Sequence, residues 1–293
     1  MNTPLLLTGR EHDLGGGLMV RRMLPAMQRQ SVGPFVFFDH FGPLTELPEY
    51  QHDVRPHPHI GLATVTYLFD GAMVHRDSLG SVQRIEPGAI NWMTAGRGIV
   101  HSERRPDDLR QRPYLSHGLQ LWAALPQAHE EDEPSFVHTP AAVIPELTMG
   151  AARVRVLIGE AFGRRSPVAT FSNTLYLDVQ FSEEGALELP PLAQELAVYA
   201  VDGDLRLGAG LLSARTLAVL QGTVPVRIEA PGAGRLVVIG GEPLDGRRFI
   251  WWNYVSSRKE RIAQAAQDWA DQTMGQVPGE TEFIPLPEKR FVV

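Results

Sequence analysis

Two short segments carry residue types that bind metals. His57-Pro58-His59 sets two imidazoles at i and i+2, and His101-Ser102-Glu103 sets an imidazole and a carboxylate at the same spacing. Alternate residues of a β-strand share a face, so each pair presents both donors on one side, about 7 Å apart along the chain. Strands that carry the pairs and face one another bring three nitrogens and one oxygen to a point. The set His57, His59, His101 and Glu103 can hold a divalent first-row metal with one or two positions open to water, dioxygen or substrate. Taken singly, each pair also reads as ordinary strand histidine. The distribution adds weight: all ten histidines lie between His12 and His138, and none follows. The chain has no cysteine, which excludes disulfides, thiolate nucleophiles, cysteine-ligated zinc and iron–sulfur clusters.

The elements that must position these pairs read as short strands. Pro34 to Phe38, Ala63 to Phe69 and Leu119 to Leu125 are apolar or alternating runs, and Asp70-Gly71 is a hairpin-type turn signal. In the second half, Arg153 to Ile158, Thr174 to Phe181, Leu196 to Val201, Thr216 to Leu220, Val224 to Glu229 and Leu236 to Gly240 repeat the texture. Asp202-Gly203-Asp204 there parallels Asp70-Gly71. Turn signals at such intervals predict an all-β sandwich or barrel. One helix is expected after Ser257-Arg258-Lys259-Glu260, which has the form of a capping box, with Ile262, Ala265, Ala266, Trp269 and Thr273 at helical spacing. Gly275 is expected to end it, and the tail from Val277 to Val293 reads as irregular. The acidic run His129 to Pro134 reads as a solvated connection. These boundaries divide the chain into residues 1–134, a β domain with the metal site, residues 135–248, a β domain without metal, and residues 249–293, a helix and tail packing on them.

The 293 residues hold 34 acidic and 27 basic side chains, a formal net charge of −7, which argues against a direct nucleic-acid ligand. No apolar run approaches a transmembrane helix, and Met1-Asn2-Thr3-Pro4 lacks the basic flank of a signal peptide. The expectation is a cytoplasmic protein without membrane contact.

The runs Phe38-Asp39-His40-Phe41-Gly42-Pro43, His57-Pro58-His59-Ile60-Gly61 and Val65-Thr66-Tyr67-Leu68 resemble the pirin family of the cupin superfamily. So do Asn91 to Glu103, His117 to Trp122, Ile158-Gly159-Glu160-Ala161 and Phe249 to Arg258, so that the likeness spans nearly the whole chain. The resemblance implies a bicupin of two antiparallel β-barrels, with one metal in the N-terminal barrel on His57, His59, His101 and Glu103. It implies iron as the usual ion, with Mn, Co, Ni, Cu or Zn as alternatives. It further implies quercetin 2,3-dioxygenase activity, with Glu103 taking the proton of the flavonol hydroxyl, or a regulatory role through protein partners. The chain departs from the pattern at Ala63, where cupins carry a glutamate, and at Ile60, where many relatives carry arginine.

Three functions fit these residues. One is a metal-dependent dioxygenase opening the ring of a quercetin-type flavonol, with Phe35, Phe37, Phe41, Trp92 and Met93 as pocket lining or plain core. Another is a metal-bearing regulatory or redox-sensing protein acting through protein partners without turnover. The third is a cupin enzyme of another class, such as a sugar isomerase. Aromatic, uncharged surroundings favour a flat apolar substrate over a sugar phosphate. His40 reads as a buried, backbone-satisfied histidine and His117 as a residue orienting a neighbouring strand, whereas His12, His52, His75, His129 and His138 have no spacing that argues for function. Two barrels fused in one chain suggest a monomer.

Overall fold

Period-two apolar patterns resolve into antiparallel sheets in the computed structural model, which describes residues 3–15, 17–50, 52–220 and 224–291. Met1, Asn2, Val292 and Val293, the extremes of the N-terminal and tail readings, lie outside the described residues. The fold is mostly β, and among the described residues there is one α-helix, Lys259–Ala270. Among the described residues no helix is long and apolar enough to cross a membrane. The chain forms two compact units, each built from separated segments. One combines Met1–Arg10, Arg21–Phe38 and Ala142–Pro243, and the other Glu11–Val20, Asp39–Ala141 and Leu244–Val293.

In the first unit a seven-stranded sheet runs in the order Leu5–Leu7, Leu217–Val219, Glu195–Asp202, Gly234–Gly241, Thr174–Phe181, Ala152–Ile158, Glu146–Met149. A four-stranded sheet, Gly185–Leu189, Val226–Ala230, Leu205–Leu207, Gly210–Leu212, accompanies it. Leu175, Leu177, Val179 and Phe181 share one strand face and join Leu187, Leu205 and Ile228 of the smaller sheet in one apolar cluster. This core holds no histidine, as the sequence requires.

The other unit likewise joins a larger sheet and a four-stranded one. Its larger sheet has the strand order Ser135–Thr139, Ile90–Thr94, Leu62–Asp70, Tyr114–Ala124 and then, from residue 39 on, the strand Phe35–Glu46, and the four-stranded sheet is ordered Val54–His59, Ile99–Arg104, Met73–Asp77, Val82–Ile85. Each of these sheets is open, with two edge strands. Asp70-Gly71 does not make a hairpin. Leu62–Asp70 pairs with Ile90–Thr94 and Tyr114–Ala124, whereas Met73–Asp77 pairs within the smaller sheet. The turn, with Gly71 at φ 87°, carries the chain from one sheet to the other. Gly203 does the same in the first unit, where Glu195–Asp202 and Leu205–Leu207 belong to different sheets.

Two expectations at the C-terminal helix need correction. The helix begins at Lys259 with Arg258 at its N-cap and has no side-chain cap hydrogen bond. The Ser257 hydroxyl instead donates to Glu130 Oε2 at 2.8 Å. Glu130 therefore is not part of a solvated run: it is buried, accepts from the Ser257 backbone N–H (2.9 Å) and the Ser256 hydroxyl (3.2 Å), and lies 2.7 Å from Arg248 Nε. These partners replace the hydration that burial takes from the Glu130 side chain. Behind it Ile262 and Ala265 pack on Ile60 and Tyr254, and Trp269 packs on Val100 and Val277.

Glu130→Ala is expected to lower unfolding free energy by about 3 kcal/mol, since it leaves a buried guanidinium and three donors of Ser256 and Ser257 short of an acceptor. Glu131→Ala, whose ion pair with Arg258 is exposed on both sides, should change it by less than about 1 kcal/mol. Urea unfolding curves compare the two. Equal effects would show that Glu130 is no anchor.

Candidate metal centre

Prolines 56 and 58 alternate with the two histidines of the first pair, and Val54–His59 is an edge strand of the four-stranded sheet, where a missing N–H is tolerated. Its antiparallel partner is Ile99–Arg104, in a register that sets His101 opposite His57 and Ile99 opposite His59. His57, His59 and His101 thereby converge, with one ligand nitrogen from each within 4.8 Å of the others and all three rings buried. Ring centroids are 4.3 Å apart for His57–His101 and 5.0 Å for both His57–His59 and His59–His101. Trp122 meets the His59 ring edge to face at 5.2 Å.

The outward nitrogens decide what the inward ones can do. His57 Nδ1 donates to the Arg55 carbonyl (2.9 Å), and His59 Nδ1 donates to the Asn253 carbonyl (3.1 Å). A carbonyl only accepts, so both rings carry their hydrogen on Nδ1 and turn the Nε2 lone pair inward. Burial keeps them neutral: it lowers the His57 pKa to about 4, and it holds His59 and His101 well below the ordinary imidazole range, with their neighbouring histidines adding to the effect. His59 Nε2 lies 3.1 Å from His101 Nε2. Converging nitrogens of neutral, buried rings are the donor set that a divalent cation takes, so the residues present fit a metal.

Asn253 reaches His59 through a close backbone approach. Gly61 has φ 66°, and a Cβ there would stand 2.0 Å from the Val255 carbonyl oxygen. Without the side chain, the Val255 N–H donates to the Ile60 carbonyl at 3.2 Å, which seats Tyr254–Ser256 beside the ligand strand.

Glu103 stands two residues beyond His101 on the same strand, opposite Val54 across a register shift and opposite His75 on the other side. It is not one of the three groups clustered within 4.8 Å. Burial raises its carboxyl to about 7. His40 and His117 meet each other, Nε2 to Nε2 at 2.8 Å, so the partner of His40 there is a side chain. Ile60 is buried and packs with Tyr254, Ile262 and Ala265. Among the proposed lining residues, Phe35 and Phe37 belong to the first unit, Phe35 edge-on to Tyr176 and Phe37 beneath the Arg22 guanidinium. Phe41 packs on Gly118, Trp92 is buried with its Nε1–H on Thr94 Oγ1, and Met93 is buried. Arg104, which ends the strand of His101, is engaged by Glu280, and Arg105 after it by the buried Glu46.

One residue set aside in the sequence belongs here. His75 Nδ1 lies 3.4 Å from His101 Nδ1, and His75 Nε2 lies 2.9 Å from Asp77 Oδ2. The signal was present: His75-Arg76-Asp77 has the same i, i+2 spacing as the two ligand pairs.

The pirin family model matches residues 17–123, and the model for the pirin C-terminal cupin domain matches residues 176–275. A pirin-like protein of Caulobacter vibrioides is 42% identical over 97% of this chain and 99% of its own. The chain belongs to the pirin family. Human pirin is 33% identical, covering 92% of this chain and 93% of its own. A crystal structure of quercetin 2,3-dioxygenase from Acinetobacter baumannii superposes with a TM-score of 0.92 at 32% identity, covering 99% of this chain and 97% of that one. The fold is thus of the cupin type, and His57, His59 and His101, three of the four side chains read as a donor set in the sequence, lie together in it.

The shifts set the direction of pH dependence. Between pH 4.5 and 6.5 the unfolded chain protonates histidines that the folded chain keeps neutral, so each of the three makes stability rise with pH. Glu103 opposes them, because its folded carboxyl holds a proton that the unfolded one has lost. Three imidazoles outweigh one carboxyl. Urea unfolding of the metal-free protein is expected to show greater stability at pH 6.5 than at pH 4.5, with a smaller difference in His57→Gln. A flat or inverted profile in the wild type would mean that these imidazoles are not buried neutral.

Proposed function

We propose that this pirin is a metal-dependent oxidoreductase of the quercetin 2,3-dioxygenase type, which opens the heterocyclic ring of a quercetin-type flavonol with dioxygen. The observation that carries the reading is the convergence of three neutral imidazoles, two with Nδ1 anchored on carbonyls, in a chain closely similar in fold to a quercetin 2,3-dioxygenase. His57, His59 and His101 would hold the metal, with Glu103 as the carboxylate of the set. Fe(II) is the proposed ion, and Mn, Co, Ni, Cu or Zn suit the same donors. When bound, such an ion supplies open positions and the Lewis acidity that lowers the pKa of a phenolic hydroxyl. Glu103, with its carboxyl near 7, is suited to take the 3-hydroxyl proton of the flavonol at its carboxylate. Trp122, against His59, offers an aromatic wall to a flat substrate. In this reading each unit's two sheets are the walls of a cupin barrel, residues 1–134 and 135–248 correspond to the two barrels with 249–293 as helix and tail, and the protein acts as a cytoplasmic monomer.

The experiment is quercetin consumption by protein loaded anaerobically with Fe(II) and then exposed to oxygen. The expected result is one dioxygen taken up per quercetin with release of carbon monoxide, a rate at least about 100-fold lower in Glu103→Ala, and loss of bound iron in His57→Ala. A wild-type protein that carries one metal per chain and leaves quercetin and oxygen untouched would sink the dioxygenase reading in favour of a regulatory one.

A further inference from the structure

Met73–Asp77 lies on the opposite side of Ile99–Arg104 from the strand of the first histidine pair, and its register sets Asp77 opposite His101 and His75 opposite Glu103. Of its polar residues, His75 and Asp77 are buried. Asp77 Oδ1 accepts the backbone N–H groups of Leu79 and Ser81, both at 2.9 Å, while Oδ2 faces His75 Nε2 at 2.9 Å. The following turn is clamped to the ligand strand, for Ser78 N–H donates to the Val100 carbonyl at 2.8 Å and the Val100 N–H donates to Ser78 Oγ at 3.2 Å. The His75 ring stacks on Phe136 with centroids 4.1 Å apart and planes 10° from parallel, so it cannot turn without losing that contact. From this pose His75 Nδ1 meets His101 Nδ1 at 3.4 Å.

Hydrogen-bond direction runs one way through these contacts. A carboxylate only accepts, so His75 donates from Nε2. A neutral His75 then has only a lone pair on Nδ1, and His101 must donate from its own Nδ1. His101 is left with its Nε2 lone pair facing His57 and His59. Arg55 and Asn253 carbonyls do this for the other two histidines, but at His101 the acceptor is an imidazole backed by a carboxylate.

We propose that His75 and Asp77 are positioning residues of the metal centre, which lock His101 as an Nε2 ligand and pass carboxylate charge to it through two hydrogen bonds. The proposal rests on the metal reading of His57, His59 and His101. Outer partners of this kind change metal affinity by about 10- to 100-fold. Because the relay makes His101 a stronger electron donor, it favours the higher oxidation state of a redox-active ion and lowers its midpoint potential.

Asp77→Asn is the incisive variant. Its Oδ1 still accepts from Leu79 and Ser81, but its amide now donates toward His75 Nε2, which reverses the chain and sets a hydrogen on His75 Nδ1 against that of His101. His75→Phe keeps the stack on Phe136 and removes the acceptor. His75→Gln restores both roles, an amide to donate to Asp77 and a carbonyl to accept from His101. Co(II) affinity is measured by titration of the metal-free full chain, with the cobalt d–d spectrum, and the Fe(III)/Fe(II) midpoint potential is measured on iron-loaded protein. Expected are affinities about 10- to 100-fold weaker in Asp77→Asn and His75→Phe, an altered cobalt spectrum, a raised potential, and recovery toward wild type in His75→Gln. His52→Gln, at a histidine paired with Glu46 outside the cluster, should leave all three unchanged. Wild-type affinity, spectrum and potential in any folded variant of Asp77→Asn or His75→Phe overturns the relay, as does a His75→Gln protein no better than His75→Phe. A wild-type chain that takes up no cobalt at all refutes the metal reading itself, a separate result.

Discussion

A neutral imidazole has one lone pair and one N–H, and which of them faces inward is settled by what waits outside the ring. The candidate site depends on that constraint. His57 and His59 present Nε2 because the Arg55 and Asn253 carbonyls take their Nδ1 hydrogens. Burial enforces neutrality, and neutrality makes the tautomer consequential: a protonated ring would donate from both nitrogens and repel a cation.

The packing keeps these acceptors still. Ile60 follows His59 directly and Val100 precedes His101 directly, and both are covered by the helix and tail through Ile262, Ala265, Trp269 and Val277. The tail adds hydrogen bonds beside the clustered histidines, from the Ile284 N–H to the Pro56 carbonyl and from the Ser102 hydroxyl to Glu280. On each ligand strand, residues that face the donors alternate with residues held from behind. The helix contributes no group to the cluster, yet its apolar face restrains the strands that do.

What could be read in advance was what is local. Thr174–Phe181 appears with the boundaries its alternation suggests, and the pairs at 57/59 and 101/103 stand out because spacing on a strand is a two-residue property. Three features were not legible for a shared reason: their meaning depends on residues far along the chain. Glu130 looks like one member of an acidic run until Ser257 and Arg248 surround it. The Ser257 hydroxyl looks like a cap until Glu130 takes it. Asp70-Gly71 looks like a hairpin because a turn signal reports a reversal and not which sheet receives the next strand. His75-Arg76-Asp77 differs, since its spacing was visible and only its cross-strand neighbour gives it significance.

The carbonyl that orients His59 comes from Asn253, 194 residues later, beyond the whole stretch Ala142–Pro243 that builds most of the other unit. During synthesis His57, His59 and His101 leave the ribosome long before the residue that settles the second imidazole's tautomer. A nascent chain ending near Pro243 therefore owns every clustered nitrogen but lacks the acceptor, the Tyr254–Ser256 strand and the helix behind them. The orientation of the second imidazole is therefore completed by the C-terminal segment, after every clustered nitrogen is already in the chain.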